Sequence, residues 1–486
     1  MTENNIQKKT FSGLVWTFLE KFSLEIFGFI EGIVLARLLM PSDYGLVGMA
    51  MVFLSISYVL RDAGFSEALI RNKYRTEIDY STTFVTYLTF STTLGIILIV
   101  FAPTIASFYN EPALTNIVRA YALMMVFEAI NGVQGAKLLI DLQFKTRSTI
   151  NVIVNILVGL LTILLAFLGF GVWSLIYPGF LNVFLRTILY RYYQHWFPGF
   201  AFSWKSFKAS FAYGSNMMIS GIINTLYKQI SPLLIGKLFS SSDLGYYSKA
   251  GAYAGLPAKT TDGMIQTVTF PILSEIQDNP KRLEEVYRRL IRMSAYVVFP
   301  MLIGLSALAK PFVVLLITEK WLPAVPYLQI LCFSLMWYPI HSLNLNLLRV
   351  KGRSDLFLKL EIIKKILGVS IIMCSIPFGV LGICIGSVIS SYLSLFINTY
   401  YTGKLINVGF ITQMRDIFPS LIYSFSMGAV IYISVYFITS DAMKMAIGLP
   451  VGIIYYFGVS KLFKSPDLEY VKLLYRQNIM PRIKRN

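Results

Sequence analysis

Charged side chains set inside long apolar runs are the residues of this sequence whose types and spacing could do chemistry. The stretch SGLVWTFLEKFSLEIFGFIEGIVLARL holds Glu20, Lys21, Glu25 and Glu31. A second run, beginning near residue 207, holds Asn216, Asn224, Lys228 and Gln229, and the next holds Lys249, Lys259, Asp262 and Gln266. Lys21 and Glu25 are four residues apart and Lys259 and Asp262 are three apart, so each pair falls on one helical face. A charge at membrane depth costs several kcal/mol unless it meets a cavity or a partner. These faces are therefore expected to line a wet central cavity. A lysine ammonium is a compact point partner for phosphate, which makes an anionic headgroup the ligand class that suits them.

Other polar positions have plainer readings beside the functional one. Glu20 and Glu31 fit snorkelling or capping as well as function. Glu361 with Lys364 and Lys365 is explained by pairing along a helix. Glu128, Asn131 and Gln134, and likewise His341, Asn344 and Asn346, suit contacts between helices better than contacts with sugar hydroxyls.

These residues need helices to hold them, and the composition supplies helices of one kind. Of 486 residues, 56% are apolar and 14% are charged, against about 25% charged in a soluble domain. Apolar runs of about 20 residues, enough to span a bilayer, recur from end to end. Reading run length against Pro, Gly and charge gives an all-α polytopic membrane protein of fourteen transmembrane helices. The spans are expected at 12–39, 42–62, 80–108, 113–137, 148–168, 170–192, 207–238, 243–274, 292–318, 322–348, 357–376, 378–401, 416–437 and 443–462. The break at FLGFGVW, between the fifth and sixth, has the weakest signal.

The net charge of +18 does not point to nucleic acid, because the basic residues fall in short loops on one side. Arg71, Lys73 and Arg75; Lys137, Lys145 and Arg147; Lys281, Arg282, Arg288 and Arg289; and Arg349, Lys351 and Arg353 alternate with loops holding little beyond Arg37, Lys237, Lys310, Lys320 and Lys444. The positive-inside rule then puts both termini in the cytoplasm. The polar N-terminus MTENNIQKKT leads into a retained first span with no small-residue cleavage site. The tail SPDLEYVKLLYRQ reads as a short interfacial helix with Asp467 as its N-cap, or as a solvated tail.

The chain repeats itself. LARLLMPSDYGLVGMA from Leu35 and IGKLFSSSDLGYYSKA from Ile235 share Leu38/Leu238, Ser42/Ser242, Asp43/Asp243, Gly45/Gly245 and Ala50/Ala250. Further along, Pro103 matches Pro311, Glu111 matches Glu319, and FGV recurs at Phe170 and Phe378. Residues 12–192 and 207–401 thus form two parallel six-helix repeats, followed by two extra helices over 416–462 and a cytoplasmic tail over 463–486. Parallel repeats of this kind place a translocation site between them. Ser42 or Asp43, and Ser242 or Asp243, are expected to cap the second helix of each copy. Pro257, near Gly255 in the middle of the eighth span, is a candidate hinge, with a static kink as the competing reading.

Enzyme signatures are missing. GVLGICIGS lacks the Lys and the strand–turn–helix setting of a phosphate loop, and no Walker motif occurs. Three cysteines (Cys332, Cys374 and Cys384) and two histidines (His195 and His341) are too few and too scattered for a disulfide framework or a zinc site. The cysteines are expected to be packed in the core. No cofactor and no metal is expected.

The segments SGLVWTFLEKF, LARLLMPSDYGLVGMA, DAGFSEALIRN, FYNEP, SDLGYYSKA, TFPILSEIQ, EKWLPAVPYLQILC and LNLLRVKGRSDLFLKLEIIKK resemble bacterial polysaccharide flippases of the multidrug/oligosaccharidyl-lipid/polysaccharide exporter superfamily, in the branch of O-antigen, colanic-acid and lipopolysaccharide-biosynthesis exporters. The resemblance covers nearly the whole chain. It implies two six-helix lobes around a cleft plus two extra helices, as in lipid II flippases. It also implies transfer of a polyprenyl-pyrophosphate-linked oligosaccharide to the outer leaflet of the inner membrane by alternating access. Membrane lipids and other polysaccharide-assembly proteins are the implied partners. Lipid II members of the superfamily use basic residues on helices one, two, seven and eight, where this chain has Lys21, Arg61, Lys228 and Lys259. With Glu25 and Asp262 these make up the candidate substrate-binding set. A coupling ion, H⁺ or Na⁺, is left open by this reading. So are two other functions: a cation-coupled multidrug antiporter of the same fold, in which Glu25 with Asp262 would couple the ion, and a membrane glycan polymerase. The outer loops are too short to carry acid–base groups for the polymerase.

Overall fold

The computed structural model describes residues 3–478, and every regular element among them is helical. The α-helices are α1 (Glu3–Leu38), α2 (Pro41–Asp62), α3 (Phe65–Arg71), α4 (Glu77–Tyr109), α5 (Leu114–Ile140), α6 (Phe144–Phe167), α7 (Tyr177–Gln194), α8 (Trp204–Leu238) and α9 (Ser241–Glu275). The chain continues through α10 (Pro280–Ala307), α11 (Ala309–Ile317), α12 (Ala324–Leu335), α13 (Tyr338–Val350), α14 (Ser354–Ser375), α15 (Gly379–Ile406), α16 (Phe410–Tyr436), α17 (Asp441–Leu462) and α18 (Pro466–Asn478).

Among the described residues, nine helical stretches are long and apolar enough to cross a membrane by composition alone. One of them, Ser354–Ile406, contains both α14 and α15. The three longest helices, α1, α8 and α9, are not among the nine. At 1.5 Å per residue their 36, 35 and 35 residues exceed a hydrocarbon core of about 30 Å; what sets them apart is their polar and charged side chains. The expected ninth and tenth spans are each divided, into α10 and α11 at Leu308 and into α12 and α13 at Met336–Trp337. Fourteen crossings are consistent with this series, and the FLGFGVW break lies where α6 ends and a 3₁₀ turn, Gly171–Leu175, begins.

Several local expectations need correction. The basic segment after α9 is not a loop: Asn279 accepts a hydrogen bond from the Arg282 backbone N–H at 3.1 Å, Pro280 takes the first helical position, and α10 starts there. Of the two residues expected to cap in each copy of the repeated motif, the aspartate does so and Ser42 or Ser242 does not. Asp43 and Asp243 reach back from the third helical position, accepting from the N–H of Met40 at 2.9 Å and of Ser240 at 3.2 Å, while Ser240 Oγ accepts from the Asp243 N–H. The last helix forms as expected, but Asp467 lies inside it and binds Arg292 at 3.3 Å, leaving Ser465 in front of the first turn. Cys332 and Cys384 are buried, whereas Cys374 is exposed.

The chain forms two compact units, residues 1–245 and 246–486. In the first, α1 packs on α6, α4 on α5, and α8 on α2, α3 and α4. Its core gathers Phe65, Tyr80, Phe84, Tyr87 and Val133, with Phe207 and Phe211 of α8 packed against them. Ala63 and Gly64 adopt left-handed conformations between α2 and α3, and a Cβ on Gly64 would lie 2.6 Å from Gly214 Cα. Only glycine permits both that backbone and that approach.

Gly45 explains why the motif is repeated. A Cβ on Gly45 would sit 1.7 Å from the carbonyl oxygen of Ser241, and one on Gly245 would sit 1.9 Å from that of Pro41. Pro41 and Ser241 are themselves equivalent positions of the two copies. Each copy's glycine therefore receives the backbone of the other copy, a reciprocal crossing that lies wholly within residues 1–245.

In the second unit α10 packs on α16, α16 on α17, and α14 on α15. Arg288 grips Asp416 with two hydrogen bonds of 2.7 Å. Asn344, Thr402 and Gln413 form a closed buried network, with bonds of 2.9–3.1 Å. Leu468 of α18 is buried against Tyr296, Met427 and Tyr456.

Candidate functional site

The long charged helices carry the candidate residues. In the first unit, α1 divides its side chains by helical phase. Glu20, Leu24, Phe27 and Glu31, spaced by four, three and four, face α6: Glu20 accepts hydrogen bonds from Ser148 and Asn151 at 2.6 Å each, and Phe27 and Glu31 lie against Gly159. Lys21 and Glu25, one residue further round, are exposed. On α2, Arg61 is compensated: it binds Glu128 of α5 at 3.1 Å and lies 4.9 Å from the centre of the Tyr58 ring. Its neighbour Asp62 accepts from the Tyr87 hydroxyl at 2.6 Å. Lys228 of α8 is exposed beside Gln229, which donates to Ser55 of α2 at 3.0 Å.

In the second unit, Lys259 of α9 is exposed and leans back over Gly255. Asp262 accepts from Gln266 at 3.4 Å, and Gln266 bonds in turn to Ser342 and Asn346 of α13. α9 runs unbroken past Pro257. Among the described residues Lys21, Lys228 and Lys259 make no ion pair, while Arg61 does. The six residues thus comprise one paired arginine, three exposed lysines and two carboxylates, four of the six in the first unit and two in the second.

The polar bands read as helix-packing residues do pack helices. Asn131 donates to the Val183 carbonyl and accepts from Thr187, tying α5 to α7. His341 bonds to Ser391 and Asn398 of α15, and Glu361 pairs with Lys364 at 2.5 Å and Lys365 at 3.6 Å.

Sequence reasoning passed over one constellation. Asn151 donates to Glu20 and accepts from Arg186 Nη1 at 2.7 Å, and Arg186 Nε donates to Asn182 at 2.7 Å. Asn151 and Arg186 of this chain border a cavity of about 420 Å³ that Arg147, Asn155 and Tyr190 also line. Its signal was present in the four-residue spacings Asn151/Asn155 and Asn182/Arg186 inside otherwise apolar helices.

Residues 34–326 match the model of a family described as polysaccharide biosynthesis protein. The chain is 27% identical over 354 residues to the teichuronic acid biosynthesis protein TuaB of Bacillus subtilis, covering 72% of this chain and 73% of that one. It is 23% identical over 440 residues to the lipopolysaccharide biosynthesis protein WzxC of Escherichia coli, covering 88% and 89%. Among solved structures it is similar to the lipid II flippase MurJ in an inward closed conformation, with a TM-score of 0.76, 15% identity and coverage of 93% of this chain and 98% of that one. At that identity the likeness establishes the fold, including its polytopic membrane character.

Proposed function

The chain belongs to the polysaccharide biosynthesis protein family, and we propose that it is a transporter that flips polyprenyl-pyrophosphate-linked oligosaccharide units across the bacterial inner membrane by alternating access. The observation that carries this reading is the set of exposed lysines, Lys21, Lys228 and Lys259, set within the three longest helices. Retaining such charges is expensive in lipid, and an ammonium is suited to a phosphate-bearing headgroup. The names of the relatives, biosynthesis proteins for teichuronic acid and lipopolysaccharide, and the MurJ-like fold support the same substrate class.

In this reading the repeats at 12–192 and 207–401 act as the two lobes. Both termini are cytoplasmic, Pro257 is the hinge, and the product passes to other polysaccharide-assembly proteins. The chain transports and does not transform its cargo. An antiporter wants a compact acidic site, and the mixture of lysines with Glu25 and Asp262 argues against one. The test is substitution of Lys21, Lys228 and Lys259 by alanine at matched protein levels. Loss of surface polysaccharide is expected, and wild-type polysaccharide in all three variants refutes the headgroup role.

A further inference from the structure

The cavity bordered by Asn151 and Arg186 is lined by none of the six candidate residues, and its chemistry is distinct from theirs. It lies in the first unit between α1, α3, α5, α6 and α7, toward the end that carries Lys137, Arg147 and Arg191. At about 420 Å³ it falls within the roughly 300–1,000 Å³ of ordinary small-molecule sites.

Three groups reach it with bonding capacity to spare. Arg147 makes no side-chain hydrogen bond or ion pair among the described residues. Tyr190 is 4% exposed, and its hydroxyl has no partner among them. Asn155 uses its amide nitrogen on the Asn151 carbonyl, which leaves its side-chain oxygen open. Arg186 is held in place by Asn151 and Asn182 and is bonded directly to amides only.

Charge selects the ligand class. Two guanidiniums line the chamber, and the carboxylate of Glu20, which lies behind the lining on Asn151, offsets one of them, leaving one positive charge. Burying a net charge in low dielectric costs several kcal/mol, so the occupant that brings the chamber to neutrality is a monoanion. A pyrophosphate diester carries two negative charges and overshoots. A carboxylate matches, and a guanidinium fork binds one with two parallel hydrogen bonds. The remaining groups, an amide oxygen and a phenol, suit hydroxyls.

We propose that this chamber is a recognition site for an acidic sugar, a hexuronate-class ring whose carboxylate lies between Arg147 and Arg186 and whose hydroxyls meet Asn155 and Tyr190. The proposal rests on the reading of the chain as a carrier of lipid-linked glycans, and it names the kind of sugar those glycans contain.

The test uses the purified full chain in phosphatidylcholine nanodiscs. It is titrated separately with methyl β-glucuronide, methyl β-glucoside and inorganic pyrophosphate, and bound probe is read by saturation-transfer NMR. The glucuronide is expected to bind at least tenfold more tightly than the glucoside, and Arg147→Gln and Arg186→Gln are each expected to abolish that preference. Arg147→Lys is expected to keep part of it. Because Arg186 holds two asparagines, its variant can fail to fold; Arg147→Gln removes no internal bond and decides the matter, with its melting temperature as the control. Equal binding of glucuronide and glucoside, an Arg147→Gln variant that binds like wild type, or Arg147-dependent preference for pyrophosphate each overturns the proposal. The assay involves no transport. Glucuronide binding without any change in lipid-linked glycans on depletion would refute the carrier reading and leave the site standing. Accumulating glycans without Arg147-dependent binding would refute the site alone.

Discussion

Substitution of Gly45 by alanine puts one methyl group into the tightest crossing in the first unit. The new Cβ would lie 1.7 Å from the Ser241 carbonyl oxygen, where ordinary contact begins at 3.4 Å. The first turns of α2 and α9 must therefore part by about half of the ordinary distance, and neither obstacle is a side chain that can rotate away. Overpacking of this kind costs about 1–3 kcal/mol, which lowers the population of the crossed arrangement about 5- to 150-fold. Ser241 is 9% exposed, so a cysteine placed there in a cysteine-free background reports the crossing through its rate of alkylation by a membrane-impermeant maleimide. The rate is expected to rise at least fivefold with Gly45→Ala. Gly28→Ala, where a Cβ meets nothing within 4 Å, is the control and should leave it unchanged. A Gly45→Ala protein that is folded, yet labels at the unaltered rate, refutes the claim that the reciprocal glycines keep these turns together.

Other outcomes follow from the same contacts. Arg288→Ala leaves the carboxylate of Asp416, 7% exposed, without its two short bonds, and should destabilise the second unit by about 2–3 kcal/mol, seen as a lower thermal midpoint. Gln413→Ala removes partners from Asn344 and Thr402 at once and should cost about 1–3 kcal/mol, with Gln413→Glu recovering little because it loses the donor. Burial pushes the Asp467 carboxyl above its ordinary range, with Arg292 opposing. Docking of α18 thus contributes fully below the free carboxylate pKa of about 4 and weakens as pH rises through the raised value, so proteolysis of the tail should be faster at pH 7 than at pH 4.5. Pro257→Ala should slow transport; equal rates would favour a static kink.

Much of the fold was legible because hydropathy, proline and glycine punctuate it locally. The helices fall close to the expected spans, and the motif at Leu35 and Ile235 marks two equivalent places. What the motif does was not legible, since the contact of Gly45 with Ser241 joins positions almost two hundred residues apart. The start of α10 was missed because its basic residues resemble a loop, although Asn279–Pro280 is a clear helix start. The lysines set inside apolar runs stood out as isolated charges. Arg186 and Asn151 did not, because their meaning comes from Glu20, on a helix far away in the chain. Spacing rules report neighbours on one helix, and this constellation joins three.

The most direct test of the central claim is the leaflet distribution of polyprenyl-linked oligosaccharides in cells with and without the protein. Mass spectrometry identifies the lipid, and accessibility of its sugar from outside the inner membrane reports the leaflet. The account predicts that depletion causes complete repeat units to accumulate in the inaccessible leaflet, and that the full chain restores them to the accessible one. Unchanged lipid intermediates, or units that reach the outer leaflet but remain unpolymerised, would contradict it.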